Sequence, residues 1–362
     1  GGLAPESEST GMAITQPVYA TREDVRAAPD FADGARANAR IDRALDSASR
    51  GIEGLLLRRF YPELDTRYFD WPNRSGASPW RLWLDRDELV SVTTLTAAGE
   101  AIAAADFFLE PNTGPPYTRI EIDLASSAAF SAGDTHQRAI AVTGVFGYSA
   151  QDAPAGALEA AIGTTSTTTV DVTDSAALGV GDLIKVDTER MLVTAKTMLD
   201  TTQNLQTSLT ASMADATIVV TTGSAFTVDE VILIDAERML IVDIAGNNLI
   251  VIRAVDGTTL AAHTAPTADV YVPRRLTVTR GALGTTAATH LDAATVTRHV
   301  VPGLVRALCI AEAVNELQQE SAAYAKEVGD GDSGREAPGA GLVGLRESVR
   351  RTYGRRARVR AV

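Results

Sequence analysis

The chain has 362 residues, 45% of them hydrophobic and 22% charged, a globular composition with room for two or three domains. Its net charge of −13 argues against a general nucleic-acid binder, and its single cysteine, Cys309, excludes an internal disulfide or a cysteine-based zinc site. No apolar run approaches a membrane span and no charged-then-apolar leader is seen, so neither a membrane segment nor a signal peptide is expected.

Residues 1–11 (GGLAPESESTG) precede Met12 and resemble a vector-derived leader at the head of an N-terminal arm, residues 1–20. Thr21 with Asp24 makes an S/T-x-x-D/E cap and predicts a short helix that Pro29 limits. A second helix is expected over 38–60. Ile41, Leu45, Ala48, Ile52, Leu55 and Leu56 recur at steps of three and four, and Pro62 ends it. Residues 60–84 (FYPELDTRYFDWPNRSGASPWRLWL) then carry Phe60, Tyr61, Tyr68, Phe69, Trp71, Trp80 and Trp83, seven of the nineteen aromatics. The period changes from helix to strand across this stretch. It therefore predicts a hinge where a helical layer meets a sheet, serving as core or as subunit interface. Beyond it, period-two runs at 82–84, 89–95, 107–109, 120–124 and 139–147 predict an antiparallel meander of four or five strands, closing at GVFGY (144–148). This helical and meander core spans 21–150, and 151–163 is expected to be a linker.

Residues 164–298 differ in kind, being rich in Thr, Val, Ala and Asp, and they contain two internal repeats. VGDLIKVDTERMLV (180–193) matches VDEVILIDAERMLI (228–241). VIRAVDGTTLAAH (251–263) matches VTRGALGTTAATH (278–290). The halves run first, first, second, second, which is the order left when one copy is inserted inside the other. An inner module over 208–272 is therefore expected within an outer one split into 164–203 and 274–298. Each would be a small barrel or sandwich. A C-terminal helix follows over 299–328, with Pro302 in its first turn. A flexible link (329–341) then leads to a basic helix or tail (342–362). Residues 346–362 hold seven arginines and one glutamate, a local charge of +6. The fold class expected is α+β: a helical core with a small antiparallel sheet, an all-β insert of two nested modules, and a C-terminal helix and tail.

No Walker loop, G-x-S-x-G or HExxH occurs. His263 and His290 end repeat-equivalent turns, with Arg253 and Arg280 expected as their partners in surface hydrogen bonds. Asp187 with Glu189, and their repeats Asp235 and Glu237, could bind calcium or act as an acid/base pair. Their duplication, with Met and Leu following, favours fold maintenance instead. Glutamine at 189 and 237 is then expected to leave function intact. Asp134 and His136 share a turn with no third partner. No catalytic, cofactor or metal residues are therefore assigned. The arginine-rich end reads as a solvated tail, a docking arm for an acidic protein surface, or a phosphate contact. Arg346, Arg350 and Arg351 share one helical face.

The blocks LLLRRFYP (55–62), TRYFDWP (66–72), PWRLWL (79–84), LVSVTTLTAAGEAI (89–102) and AIAVTGVFGY (139–148), in that order, resemble the head–tail connector (adaptor) proteins of long-tailed bacteriophages. The terminal helix fits the same pattern, and the insert departs from the short members of the family. The resemblance implies a non-enzymatic virion protein at the neck, made in the host cytoplasm. It would form a homo-oligomeric ring of about twelve copies beneath the portal. DNA would pass through without specific binding, and the ring would offer a platform to the next neck or tail-completion protein. Arg346, Arg350, Arg351, Arg355, Arg356, Arg358 and Arg360 would dock on the portal, while the aromatic stretch would make or back ring contacts. The insert would project outward and could touch the capsid. A glycan- or host-surface-binding module is the alternative, with a cell-wall hydrolase behind it.

Overall fold

A computed structural model describes residues 14–28, 38–72, 79–321, 327–328, 335–336 and 340–355. Helix α1 (Arg22–Arg26) starts on a reciprocal cap. The Thr21 hydroxyl accepts from the Asp24 amide at 3.1 Å, and the Asp24 carboxylate accepts from the Thr21 amide at 2.9 Å. Buried Arg22 then donates two bonds to Asp42, at 2.9 and 2.7 Å, fastening α1 to α2 (Asn38–Leu56). Ile41, Leu45, Ala48, Ile52 and Leu56 form the buried stripe of α2.

Seven strands follow: β1 (Glu63–Phe69), β2 (Arg81–Trp83), β3 (Leu89–Ala97), β4 (Glu100–Ile102), β5 (Phe107–Glu110), β6 (Arg119–Ile122) and β7 (Ile140–Phe146). They form two antiparallel sheets rather than one meander, in the orders β1-β7-β3-β4 and β2-β6-β5. Leu82, Leu89, Leu95, Ile120, Ile140, Val142 and Phe146 fill the core between them.

The next ten strands make one continuous sheet. They are β8 (Asp152–Ala157), β9 (Thr169–Asp171), β10 (Leu183–Val186), β11 (Glu189–Asn204), β12 (Thr217–Val219), β13 (Val231–Ile234), β14 (Glu237–Ala245), β15 (Asn248–Ile252), β16 (Asp269–Thr279) and β17 (Thr295–His299). The sheet rolls into two small barrels. In the outer one, β8, β17, β10, the first half of β11, the second half of β16 and β9 follow one another, and the Glu159 amide closes the ring on the Asp171 carbonyl at 2.8 Å. In the inner one the Gln206 amide closes on Val219 at 2.8 Å in the same way. Strands β10 and β11 correspond to β13 and β14, and the repeat-equivalent Met191 and Met239 are both fully buried, each in its own barrel core. The long strands β11 and β16 pair along most of their length and run through both barrels. Residues 152–157, expected as part of a linker, are an edge strand of the outer barrel.

Helix α3 (Gly303–Ser321) packs on α2. A two-residue strand pair, β18 (Glu327–Val328) with β19 (Arg335–Glu336), precedes α4 (Ala340–Tyr353), so the segment expected to be a flexible link contains part of a hairpin. Val180, Leu183 and Leu192 of the outer barrel join Leu45, Phe60, Leu308 and Val349 in one core, so the outer barrel is built into the helical layer. Gly179 allows the contact, since a Cβ there would lie 2.5 Å from Thr21 and Glu23, and Gly284 allows a second one with β1, where a Cβ would lie 1.8 Å from the Leu64 carbonyl.

The expected α+β class with a helical core does not hold. Strands take 36% of the chain and helices 21%, and large antiparallel sheets dominate. The helices gave the strongest periodic signal because their stripes are long. The strands, several of them short or without regular alternation, account for most of the fold.

Candidate functional site: the aromatic elbow and the arginine helix

Five of the seven aromatics of 60–84 divide between two cores. Phe60 ends the α2 segment fully buried. Its ring meets Tyr19 edge-on at 5.5 Å, Tyr353 edge-on at 5.8 Å and Tyr148 at 5.2 Å. Such edge-to-face pairs add to plain burial because ring edges are positive and faces negative. The Tyr19 hydroxyl accepts from the Phe60 amide at 3.2 Å and donates to Glu53 at 2.8 Å. Burial and then Glu53 push that hydroxyl well above the ordinary tyrosine range. Tyr61 joins the same group, with the Arg50 guanidinium 5.9 Å from its ring centre. Phe69, Trp71 and Trp80 instead pack on the core between the two small sheets, where Trp71 donates to the Phe130 carbonyl at 2.9 Å. Trp83 lies beneath Arg119, and Tyr68 is 61% exposed on edge strand β1. Proline-free alternation in 63–69 could have revealed β1, but the dense aromatics masked it.

The basic end is described as far as Arg355. Helix α4 places Leu342, Leu345, Val349 and Tyr353 against the helical core, and Tyr353 completes the ring cluster around Phe60. Residues at this spacing share one face of a helix, which sends the arginines outward. Arg346 binds Glu312 of α3. Arg350 and Arg351 both bind Glu347, at 2.9 and 2.8 Å, within their own helix. Their side chains are 48, 59 and 77% exposed. Exposed pairs of this kind are weak, so the guanidinium groups can exchange partners readily. Arg355 turns back to the Asp85 carbonyl and lies 3.9 Å from buried Glu88. Arg356, Arg358 and Arg360 lie outside the described residues. Leu55, Leu56 and Leu57 with Arg350, Arg351, Gly354 and Arg355 line an open groove of about 810 Å³. Leu55 and Leu57 are 39 and 54% exposed there.

The glutamates of the repeated Asp-x-Glu-Arg motif are buried. Glu237, with no exposed side-chain area, accepts from Arg253 at 2.9 and 2.7 Å, from the Ala254 and Ala261 amides at 3.1 and 3.0 Å, and meets His263 Nε2 at 2.9 Å. His263 Nδ1 is 2.7 Å from Asp235. The outer barrel repeats the arrangement. Glu189 holds Arg280 at 2.7 Å twice, the Gly281 and Ala288 amides at 2.9 Å, and His290 Nε2 at 2.9 Å, with Asp187 2.8 Å from Nδ1. Burial works against the Glu189 carboxylate, but Arg280 and the other donors outweigh it and bring it down to about 2. Glu237 is lowered in the same way. Arg253 and Arg280 are thus buried partners of the glutamates, not surface partners of the histidines. Asp134 and His136 stay exposed in their turn.

One site escaped the sequence. Buried Glu230 of the inner barrel accepts from Arg274 at 2.8 and 2.7 Å and from the Ser175 amide and hydroxyl at 3.1 and 2.8 Å, which joins the barrels. Its repeat-equivalent is Asp182. Each takes the amide three residues back, Thr227 at 3.0 Å and Gly179 at 2.7 Å. Among the described residues, no group of three or more His, Cys, Asp or Glu side chains is arranged to hold a metal ion.

Comparison with known proteins assigns no family: no family model, no curated protein and no solved structure matches this chain.

Proposed function

We propose that this chain is a structural head–tail connector of a long-tailed phage. Copies would close into a ring between portal and tail, and the arginine face of α4 would carry the portal contact. The observation that supports this is the meeting of the aromatic elbow with the arginine helix, through Phe60 and Tyr353 at 5.8 Å. The hydrophobic side of α4 is committed to the core, so its basic side is held at a fixed place and angle rather than on a loose tail. Arginine suits such a contact because its planar fork pairs bidentately with carboxylates, and an acidic portal surface would replace the weak pairs to Glu347. The acidic remainder of the chain suits a channel that lets DNA pass, since like charges repel phosphate. The barrels, anchored by the outer one, would face neighbouring copies or the capsid.

The test is assembly with purified portal rings, imaged by electron microscopy. A ring seated on the portal through α4 is the expected result. Portal rings left bare at micromolar protein, or a ring attached by another face, would refute the assignment of the contact.

A further inference from the structure

We infer that each insert barrel is closed by a proton-held latch, in which His263 and His290 are bound as imidazolium ions bridging a buried glutamate to an exposed aspartate. The geometry requires two donors on each ring. Nδ1 of His263 is 2.7 Å from Asp235 and Nε2 is 2.9 Å from Glu237. Nδ1 of His290 is 2.8 Å from Asp187 and Nε2 is 2.9 Å from Glu189. An ionised carboxylate only accepts hydrogen bonds, and a neutral imidazole has one N–H and one bare nitrogen. A neutral ring would therefore turn a lone pair towards one carboxylate in both barrels.

Charge balance gives the same answer. The groups facing His263 are Asp235 in the β13–β14 turn, Glu237 on β14 and Arg253 after β15. Beyond Arg253 lies Asp215, whose carboxylate caps Thr210. Those facing His290 are Asp187, Glu189 and Arg280. Two carboxylates and one guanidinium leave one negative charge, which an imidazolium cancels. Glu237 and Arg253 have no exposed side-chain area and offset one another, so the counter-charge of the imidazolium is the 62% exposed Asp235. The donors already gathered on each glutamate keep it ionised, so the proton belongs to the ring.

The latch fastens two distant segments. Asp235 and Asp187 sit in tight hairpin turns with φ of 52° and 51°, the left-handed region that strains a residue with a side chain. The backbones of His263 and His290 bridge to Leu209 and Ile162, at the strands that close each barrel. Losing the proton would keep one bond, to the glutamate, and release the aspartate. Each barrel is thus tightest where its histidine donates from both ring nitrogens.

The test is long-range ¹H–¹⁵N correlation on the full chain with ¹⁵N-labelled histidine, with exposed His136 as the reference ring. Near pH 7, both nitrogens of His263 and His290 should carry protons. A bare nitrogen on either ring at that pH would overturn the latch. Asp235→Asn and Asp187→Asn keep the turns, since Asn tolerates left-handed backbone. Each should leave its own histidine with one bare ring nitrogen while the other histidine keeps both protons. Both protons retained on both rings in both variants would also overturn the proposal.

Discussion

Replacing Glu237 with glutamine should unfold the inner barrel while the rest of the chain stays folded. The carboxylate takes five hydrogen bonds, two from Arg253, two from backbone amides and one from His263. A glutamine has one carbonyl oxygen to offer, and its NH₂ group would face donors on the other side. Arg253 would keep its full charge with no exposed side-chain area. Breaking a buried pair from one side costs about 3–5 kcal/mol. The inner barrel, residues 205–272, is expected to hold only about 3–10 kcal/mol by its size, so the loss is comparable to its whole stability. Its core is its own cluster, including Ile218, Ile232, Met239, Ile241 and Val270. All three tryptophans, Trp71, Trp80 and Trp83, lie outside it. Urea titration by circular dichroism should therefore show an early β transition, while tryptophan fluorescence holds at the wild-type midpoint. A loss below about 1 kcal/mol would refute the reasoning from buried charge. A tryptophan transition that moves with the barrel would refute its independence.

Arg350→Gln with Arg351→Gln should leave the fold and its thermal melt nearly unchanged, because both side chains are exposed, yet abolish portal binding in a pull-down. Retained binding would remove the arginine face from the proposed contact. Asp182→Asn should stabilise the protein at neutral pH by roughly 2 kcal/mol, once the solvent reaching this half-buried group is allowed for. Burial raises Asp182 from 3.8 to about 6, so the folded state holds a proton that the unfolded chain has lost. The wild type should consequently lose this increment as pH rises between about 4 and about 6, while the variant should not, which thermal melts across that range would check. Glu230→Gln should free the two barrels to swivel, because Arg274 and Ser175 lose their shared anchor. Limited proteolysis near residues 199–204 should quicken several-fold, and an unchanged rate would show that the long strands alone set the angle.

The repeats at 180–193 with 228–241 and at 251–263 with 278–290 were legible because identical turns and charged pairs recur at fixed spacing. Their residues take equivalent places in the two barrels, Glu189 with Glu237 and His263 with His290. What Glu189 and Glu237 do was not legible. A carboxylate on a strand looks the same in sequence whether it faces solvent or a buried guanidinium 16 or 91 residues away. The expectation that glutamine would be harmless at these positions rested on that ambiguity. The cap at Thr21 was legible because it is local. The β-dominated class was not, since pairings such as β1 with β7 or β8 with β17 join residues far apart in the chain. The meeting of Tyr353 with Phe60 lies beyond any local pattern for the same reason. The arginine spacing at 346, 350 and 351 did identify an outward helical face.

The unbroken run of β11 and β16 through both barrels has a mechanical consequence. A pull on the inner barrel travels along two continuous backbones into the outer one, so no flexible tether takes up the strain. Force applied lengthwise loads many of their cross-strand bonds at once, whereas force applied sideways would peel them singly. The insert should thus behave as a stiff lever that is strong along its axis and weaker when bent.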